Sequence, residues 1–373
     1  MLPRGFGKYP EAETRNREAA QLLLTIGGMR RMRAMRMYPP ACPLSLLGVS
    51  VPYLVSLFCL LLLAAPPASG QERQEPPAAG GTLKVSTNVV NVYAVVKDKK
   101  GHLIPNLQKE DFELLDEKAP QEIRYFSRET DTPLTLGIMV DTSPSQDGVL
   151  SVEKEQAKSF LRQILRPKDM AFVIHFDLEV ELLQDFTADF PLLAHAIDET
   201  VINGGGRGVL PSPVPTASVG GTHLYDSVYL ASTELLKNEV GRKVLILLTD
   251  GEDEGSKVKL EAAMEVAQKS DVMIYSIDIS DRMFYLLQGR GFQGDSVLKK
   301  LSEETGGRVL QVQRLRDTAT AFQQIADELR TQYLLGYTPT HIRREGSFRR
   351  IHVQVRNTDY KVQARRGYYA PTE

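Results

Sequence analysis

Five oxygen-bearing side chains stand at places in the chain where they could meet around one cation. Two apolar segments end in an acid, and the first acid opens a D-x-S-x-S motif. Between the two acids, a Gly-Gly-Thr stretch precedes a helical segment. The candidate ligands are Asp141, Ser143, Ser145, Thr222 and Asp250. Carboxylates and hydroxyls without His or Cys are hard donors, which favour Mg²⁺, Mn²⁺ or Ca²⁺ over Zn²⁺.

This donor set also predicts what the ion would do. The hydroxyl donors are neutral, so they leave a divalent ion short of negative charge. A carboxylate from another protein could complete the shell, which predicts a protein ligand that presents an acidic residue. The alternative is that the serines and acids only cap the helices that follow them. The order of three such elements, each at a strand end or a helix start, favours the metal site.

Apolar strands and amphipathic helices alternate along the middle of the chain. Strand-like segments lie at 135–141, 171–177, 243–250 and 272–278, and 180–186 is predicted to be an antiparallel neighbour of the second. Apolar residues at helical spacing lie between them. The alternation predicts an α/β fold with a doubly wound, mostly parallel sheet. Ligands bind beyond the carboxyl ends of parallel strands, so both acids fall at the binding edge.

Both flanks of this region alternate apolar and polar residues as β-strands do. The N-terminal β region spans 82–132 and the C-terminal one spans 333–373, with a central domain at 133–332. Each flank holds too few strands to bury a core by itself. We therefore expect the flanks to pair as a small β-sandwich-like domain with the central domain inserted, since the ends of a compact domain often lie close together.

The first 70 residues have the features of a targeting segment. A basic cluster at 29–37 precedes an apolar run at 44–65, and small residues follow at 68–70. This order is typical of a secretory signal peptide, although the run also nearly matches the length of about 20 residues that spans a bilayer. Both a cleaved signal peptide and an N-terminal membrane anchor stay open for 1–70, with 71–81 as a linker.

Cysteine use and charge narrow the possible functions. Cys42 and Cys59 both fall in the targeting segment, which excludes disulfides and thiolate metal sites from the rest of the chain. The formal net charge is −2, and the first 70 residues are basic, so the remainder is acidic. An acidic chain without a basic stripe argues against nucleic-acid binding. We expect a secreted, periplasmic or envelope protein that meets a membrane only through its N-terminal segment.

The order of D-x-S-x-S, Gly-Thr and T-D-G resembles the metal-ion-dependent adhesion site, or MIDAS, of von Willebrand factor A domains. The whole central domain looks like such a domain. The resemblance implies that Ser143 and Ser145 are direct ligands and that Thr222 is direct or water-linked. It implies that Asp141 and Asp250 act largely through water.

The flanks are similar to a bacterial group called VWFA-related domain proteins. The likeness rests on residues 96–126, on YLLGYTP at 333–339 and on RRGYYAP at 365–371. It supports the predicted export and the predicted fold.

Three functions follow from these observations. The first is an extracytoplasmic, divalent-metal-dependent protein-binding module for adhesion or assembly, with no catalytic residue. The second is a structural subunit of an envelope complex that holds a purely structural metal. The third and less favoured is a hydrolase that uses the metal as a Lewis acid. It lacks a general base other than the predicted ligands themselves.

Two further segments lie near the predicted metal face. The first, 203–221, is rich in Gly and Pro, and the second, 281–295, carries several large apolar residues. Either segment could contact a partner. A plain insertion is the more typical explanation of the first, and local packing of the second.

Overall fold

The secondary structure comes from a computed structural model that describes residues 89–128, 132–202, 221–279, 293–340 and 346–371. The strands are β1 (Val90–Lys97), β2 (Phe112–Asp116), β3 (Ala119–Gln121), β4 (Ile123–Arg128), β5 (Leu134–Asp141), β6 (Met170–Phe176), β7 (Val180–Thr187), β8 (Arg242–Thr249), β9 (Val272–Asp278), β10 (Val309–Gln311), β11 (Tyr333–Tyr337), β12 (Phe348–Val355), β13 (Lys361–Ala364) and β14 (Gly367–Tyr369). The α-helices are α1 (Leu150–Ile164), α2 (Phe190–Glu199), α3 (Leu224–Leu230), α4 (Leu260–Lys269), α5 (Gly294–Thr305) and α6 (Thr318–Arg330). A π-helical segment, Ala231–Leu236, continues α3.

Among the described residues, a six-stranded sheet of order β10-β9-β8-β5-β6-β7 forms the centre of the fold. Neighbouring strands from β10 to β6 run parallel, and β7 runs antiparallel to β6. The predicted doubly wound, mostly parallel sheet is therefore confirmed. Strands of such a sheet are apolar on both faces because helices cover both faces.

Two apolar layers cover the central sheet, because consecutive side chains of a strand point to opposite faces. On one face, Leu136 of β5 belongs to a core shared with α1, α2 and α6. On the other face, Met139 of the same strand belongs to a core shared with α3, α4 and α5. β5 and β8 stay in register up to Val140 and Leu248. The carboxyl ends of these two strands therefore lie side by side.

The N- and C-terminal flanks pair with each other in two antiparallel sheets, of order β13-β1-β11-β4 and β14-β12-β2-β3. Val92 of β1 lies opposite Leu335 of β11, and Leu114 of β2 lies opposite Val353 of β12. The predicted pairing of the flanks is confirmed. Both sheets contribute apolar side chains to one core, which makes the flanks β-sandwich-like.

A buried acid lies within the flank sandwich. Asp116 is fully buried and accepts hydrogen bonds from the hydroxyls of Tyr337 at 3.1 Å and Tyr368 at 3.0 Å. It also forms an ion pair with Arg349 at 2.9 Å. Because a buried charge is costly without partners, these groups together make the acid tolerable in the core.

A second buried acid, Glu328 of α6, joins the central domain to the flanks. Its carboxylate lies 2.8 Å from Nζ of Lys97 in β1 and 2.6 Å from Nη2 of Arg308. Gln363 of β13 donates to the same carboxylate at 3.4 Å. The last helix of the central domain is therefore fixed against strands from both flanks.

Several predictions fall outside the described residues. They concern the signal peptide or anchor at 1–70, the linker at 71–81, and most of the segments at 203–221 and 281–295. Within the described ranges, we find no helix that combines the length and the apolarity needed to cross a bilayer.

Candidate metal centre

Asp141 joins the carboxyl ends of two neighbouring strands. It is the last residue of β5 and is fully buried. Its Oδ1 accepts the N–H of Ser143 at 2.9 Å, and its Oδ2 accepts the hydroxyl of Thr249, the last residue of β8, at 2.5 Å. The acid is thereby held at the sheet edge where the sequence predicted a binding site.

The two serines of the D-x-S-x-S motif come together directly after this acid. The intervening Pro144 begins a short 3-10 turn, and the hydroxyl oxygens of Ser143 and Ser145 lie 3.1 Å apart. Ser143 is buried, whereas Ser145 is partly exposed. The pair therefore presents two oxygen donors at the point where the buried site meets solvent.

Asp250 follows β8 and contacts the serine loop through a glutamine. It is buried, and its Oδ1 accepts the N–H of Glu252 at 3.1 Å. Its Oδ2 accepts Nε2–H of Gln146 at 2.9 Å. The same amide nitrogen lies 3.3 Å from Oγ of Ser145. The two acids and the two serines thus form one hydrogen-bonded group.

Thr222 is fixed by backbone hydrogen bonds, and no hydrogen bond joins it to this group among the described residues. The residue is 7% exposed and exchanges two backbone hydrogen bonds with Glu254, of 3.0 and 2.9 Å. The next residue, His223, donates its N–H to the carbonyl of Asp177 at 2.7 Å. These bonds hold Thr222, which lies just before α3, against the loop that follows Asp250.

The glycine of T-D-G is required by the close approach of α5. Gly251 has a φ of +83°, and a Cβ there would lie 2.5 Å from Cγ of Leu298 and 2.7 Å from the carbonyl oxygen of Gly294. Glu252 accepts the N–H of Gly294 at 2.7 Å. The N-terminus of α5 therefore packs directly on the loop that carries the second acid.

Comparison with known proteins finds distant similarity. No protein-family model matches this chain. The chain is 25% identical over 189 residues to an uncharacterized protein of Borreliella burgdorferi, an alignment that covers 46% of this chain and 51% of that protein. The chain therefore spans about half the length of the curated relative it matches.

Solved structures to which the chain is similar include three from different organisms. A von Willebrand factor type A protein of Catenulispora acidiphila has a TM-score of 0.44 and 14% identity, over 72% of this chain and 64% of that one. Proximal thread matrix protein 1 of the mussel byssus, with zinc in its MIDAS motif, has a TM-score of 0.44 and 18% identity, over 58% of this chain and 50% of that one. An aerotolerance-related membrane protein of Bacteroides fragilis has a TM-score of 0.39 and 16% identity, over 52% of this chain and 98% of that one.

The strand order, the helices on both faces and the acids at adjacent strand ends decide the fold of the central region. The central domain has the doubly wound α/β fold expected from its resemblance to von Willebrand factor A domains, and for brevity it is called the A domain. In this A domain, Asp141, Ser143, Ser145 and Asp250 lie together at the carboxyl edge of the sheet, and their role as metal ligands stays a prediction.

Strand β6 of the A domain supports both loops of the site. Asp177, directly after β6, accepts the hydroxyl of Thr142 at 2.8 Å, and its carbonyl binds the backbone at His223. Nδ1 of His175 lies 3.1 Å from the same threonine hydroxyl. A third strand end therefore connects the D-x-S-x-S loop to the start of α3.

Burial and the neighbouring charge of Asp250 make Asp141 costly to ionise. Burial raises the pKa of Asp141 to about 7, and the charge of Asp250 adds to the rise. Hydrogen bonds from Ser143 and Thr249 act in the opposite direction. A divalent cation beside the acids would remove both causes of the rise, because it solvates the carboxylate and offsets the repulsion.

The residues present fit a hard divalent ion. In the part of the chain that the structure describes, no three His, Cys, Asp or Glu side chains are grouped to hold a metal. An ion at this edge of the sheet would be held by Asp141 and Asp250 with the hydroxyls of Ser143 and Ser145, and by Thr222 as the resemblance implied. A set of two carboxylates and neutral oxygens, completed by water, suits Mg²⁺, Mn²⁺ or Ca²⁺. Bound there, the ion would supply positive charge and an exchangeable position.

Two polar residues that bond to the acids, and one buried acid of the following helix, were not among the residues predicted from the sequence. Thr249 and Gln146 each bond to one of the acids, and both flank a motif residue directly in the chain. Glu153 is a third buried acid. Its signal was present: it stands between Leu150 and Ala157 in the buried stripe of α1, where helical spacing predicts an apolar residue.

Proposed function

We propose that this chain is an extracytoplasmic, divalent-metal-dependent protein-binding module that serves adhesion or assembly. The observation that carries the proposal is the hydrogen-bonded group of Asp141, Ser143, Ser145 and Asp250 at the carboxyl edge of the A-domain sheet. Hard divalent ions usually keep exchangeable waters in such a set of ligands. A carboxylate of the partner would replace one of these waters.

The rim of the site supports dependence on the ion. Ser145 is partly exposed, and Asp147 and Glu254 on the two adjoining loops are exposed acids. Without an ion, an approaching carboxylate would meet like charges at this rim, and like charges repel. With an ion, the same carboxylate would meet a cation whose charge the protein only partly offsets. Metal and partner should therefore bind together.

The donors limit the class of ion that the site would hold. Oxygen ligands favour Mg²⁺, Mn²⁺ or Ca²⁺, and Mn²⁺ is a convenient probe because it accepts the same geometry as Mg²⁺. The mussel byssus protein was solved with zinc in its MIDAS motif, so Zn²⁺ belongs in the same titration series. Export follows from the predicted signal peptide or anchor in residues 1–70.

A structural subunit of an envelope complex with a purely structural metal is the second candidate. The observation that favours it is burial, since Asp141, Ser143, Thr222 and Asp250 are each at most 7% exposed. An ion that only holds loops together needs no open position. A hydrolase, the least favoured of the three functions predicted from the sequence, is not proposed.

Partner capture with and without a chelator separates the two candidates. Crosslinking in the native envelope would identify proteins attached to the full chain, and each would be tested again after EDTA and after Thr222→Ala. The exposed Thr320 of α6 provides the control, Thr320→Ala. The binding proposal expects a partner that both EDTA and Thr222→Ala release while the control keeps it. A partner retained under both treatments would instead support the structural role.

A further inference from the structure

The turn that joins β6 to β7 lies against the residues on both sides of Thr222. The carbonyl of Asp177 accepts the N–H of His223 at 2.7 Å. A Cβ added to Gly221 would lie 2.5 Å from Cδ2 of Leu178, so this leucine fills the space directly beside the glycine. The β6–β7 turn therefore limits where the backbone of Thr222 can lie.

The same turn is bonded to the loop that carries the two serines. The carboxylate of Asp177 accepts the hydroxyl of Thr142, the second residue of the D-x-S-x-S motif, at 2.8 Å. The other carboxylate oxygen accepts the N–H of Glu179 at 3.1 Å, which closes the turn. Asp177 and Thr142 are both buried, so the loss of either partner would leave a buried polar group with one hydrogen bond fewer. The β6–β7 turn therefore connects the serine loop to the start of α3.

We propose that the β6–β7 turn positions Thr222 for the metal centre, with Thr142, Asp177 and Leu178 as the positioning residues. This inference rests on the proposed metal function. Thr222 has no hydrogen bond to the other predicted ligands among the described residues, so its distance from the serine pair depends on the elements that hold its backbone. The turn holds that backbone and also bonds to the serine loop, so it sets this distance.

A hydroxyl deletion at Thr142 tests the connection. Thr142→Val keeps the branched side chain, and in the full purified chain it should weaken Mn²⁺ binding by about 10–100-fold, the usual loss when a group that orients a ligand is changed. Thr142→Ser keeps the hydroxyl and should recover most of the affinity. Thr200→Val is the matched control, because the Thr200 hydroxyl is also buried and donates to the carbonyl of Ile197 at 2.7 Å. This control should lower stability without changing the Mn²⁺ affinity.

A double variant separates positioning from a general loss of stability. Two residues that act through one interaction have free energies that do not add. Once the Thr222 hydroxyl is removed its position no longer matters, so Thr142→Val should have no further effect on Mn²⁺ binding in the Thr222→Ala background. Losses of affinity that multiply would show that Thr142 acts independently of Thr222, and they would overturn the proposal.

Hydrogen exchange in EDTA gives a readout that needs no metal. The amide of His223 is bonded to the carbonyl of Asp177, and an amide exchanges faster where its hydrogen bond opens more often. Thr142→Val should therefore speed exchange in the peptide that contains His223, whereas Thr200→Val should not. Exchange at the wild-type rate in Thr142→Val would overturn the connection through the turn.

Leu178→Ala tests the other contact of the turn and replaces Thr142→Val should circular dichroism show that the latter does not fold. Leu178 is 36% exposed and Leu182 of β7 is 37% exposed, so the two truncations are matched in burial. Leu178→Ala should weaken Mn²⁺ binding, and Leu182→Ala should not. Wild-type affinity in Leu178→Ala or in a folded Thr142→Val would overturn this inference while leaving the metal site intact. Absence of Mn²⁺ binding in the wild type would overturn the proposed function first, and this inference with it.

Discussion

Gln146 donates a hydrogen bond to Asp250 at 2.9 Å across a separation of 104 residues in the chain. This bond joins the loop after β5 to the loop after β8, and the same amide nitrogen lies 3.3 Å from the hydroxyl of Ser145. The glutamine side chain is fully buried, so water cannot replace the bond when it is lost. The shape of the candidate metal centre therefore depends on a residue that ligates nothing in the predicted site.

We expect Gln146→Ala to destabilise the metal-free chain. A hydrogen bond to a charged group contributes about 1.5–3 kcal/mol, and Asp250 would keep a buried oxygen without its donor. Urea denaturation in EDTA measures the free energy of unfolding. Gln354→Ala removes an exposed glutamine that bonds to Glu113 at 2.7 Å, and it should cost at most about 0.5 kcal/mol. Equal losses in the two variants would contradict the role of Gln146.

Metal binding should stabilise the chain through Asp141. An ion that binds only the folded state contributes about 2.7 kcal/mol at a concentration of 100 times its Kd. Thermal unfolding with Mg²⁺, Mn²⁺, Ca²⁺ or Zn²⁺, followed by EDTA, measures this gain and its reversal. Asp141→Ala should abolish the gain, whereas Asp147→Ala changes an exposed acid of the same loop and should retain it. Wild-type stabilisation in Asp141→Ala would remove this residue from the site.

The contribution of Asp141 to the stability of the metal-free chain should fall as pH rises. Burial, and then the charge of Asp250, raises the folded-state pKa of Asp141 to about 7. The pKa of Asp141 in the unfolded state is about 3.9, so the folded state keeps the carboxyl proton up to a higher pH than the unfolded state does. The stabilisation that protonated Asp141 contributes is fully present below its unfolded-state pKa. It is lost as pH rises through its folded-state pKa.

Urea denaturation in EDTA from pH 4 to pH 8 tests this dependence. The unfolding free energy of wild type, minus that of Asp141→Asn, should decrease between about pH 4 and pH 7, because only the wild type titrates at this position. A wild-type difference that rises with pH would show that Asp141 is stabilised in its charged form.

Asp116 should be required for the stability of the flank sandwich. Removing one member of a buried ion pair costs about 3–5 kcal/mol, because the other charge stays uncompensated. In Asp116→Ala that charge is Arg349, whose side chain is 12% exposed, and two tyrosine hydroxyls also lose an acceptor. Glu113→Ala, on the exposed side of the same strand, is the control. Matching unfolding curves for the two variants would refute this assignment.

The sequence by itself determined the sheet and the edge where the site lies. The apolar runs that end in Asp141 and Asp250 predicted buried parallel strands, and parallel strands bring their carboxyl ends to one edge whatever the intervening chain does. The two-residue spacing of Ser143 and Ser145 predicted that both hydroxyls would share one turn, and they do. The alternating pattern of the flanks predicted strands that need each other, because neither flank could bury a core alone.

Only the tertiary structure decided which neighbours these elements take. Alternation marks β1 as a strand, but its position between β11 and β13 depends on side-chain packing over more than 200 residues of separation. The contact of Gln146 with Asp250 and the burial of Glu153 depend in the same way on how α1 and the loops close over the sheet edge. Local patterns carry information about periodicity and turns, whereas long-range polar contacts depend on the packing of the assembled elements.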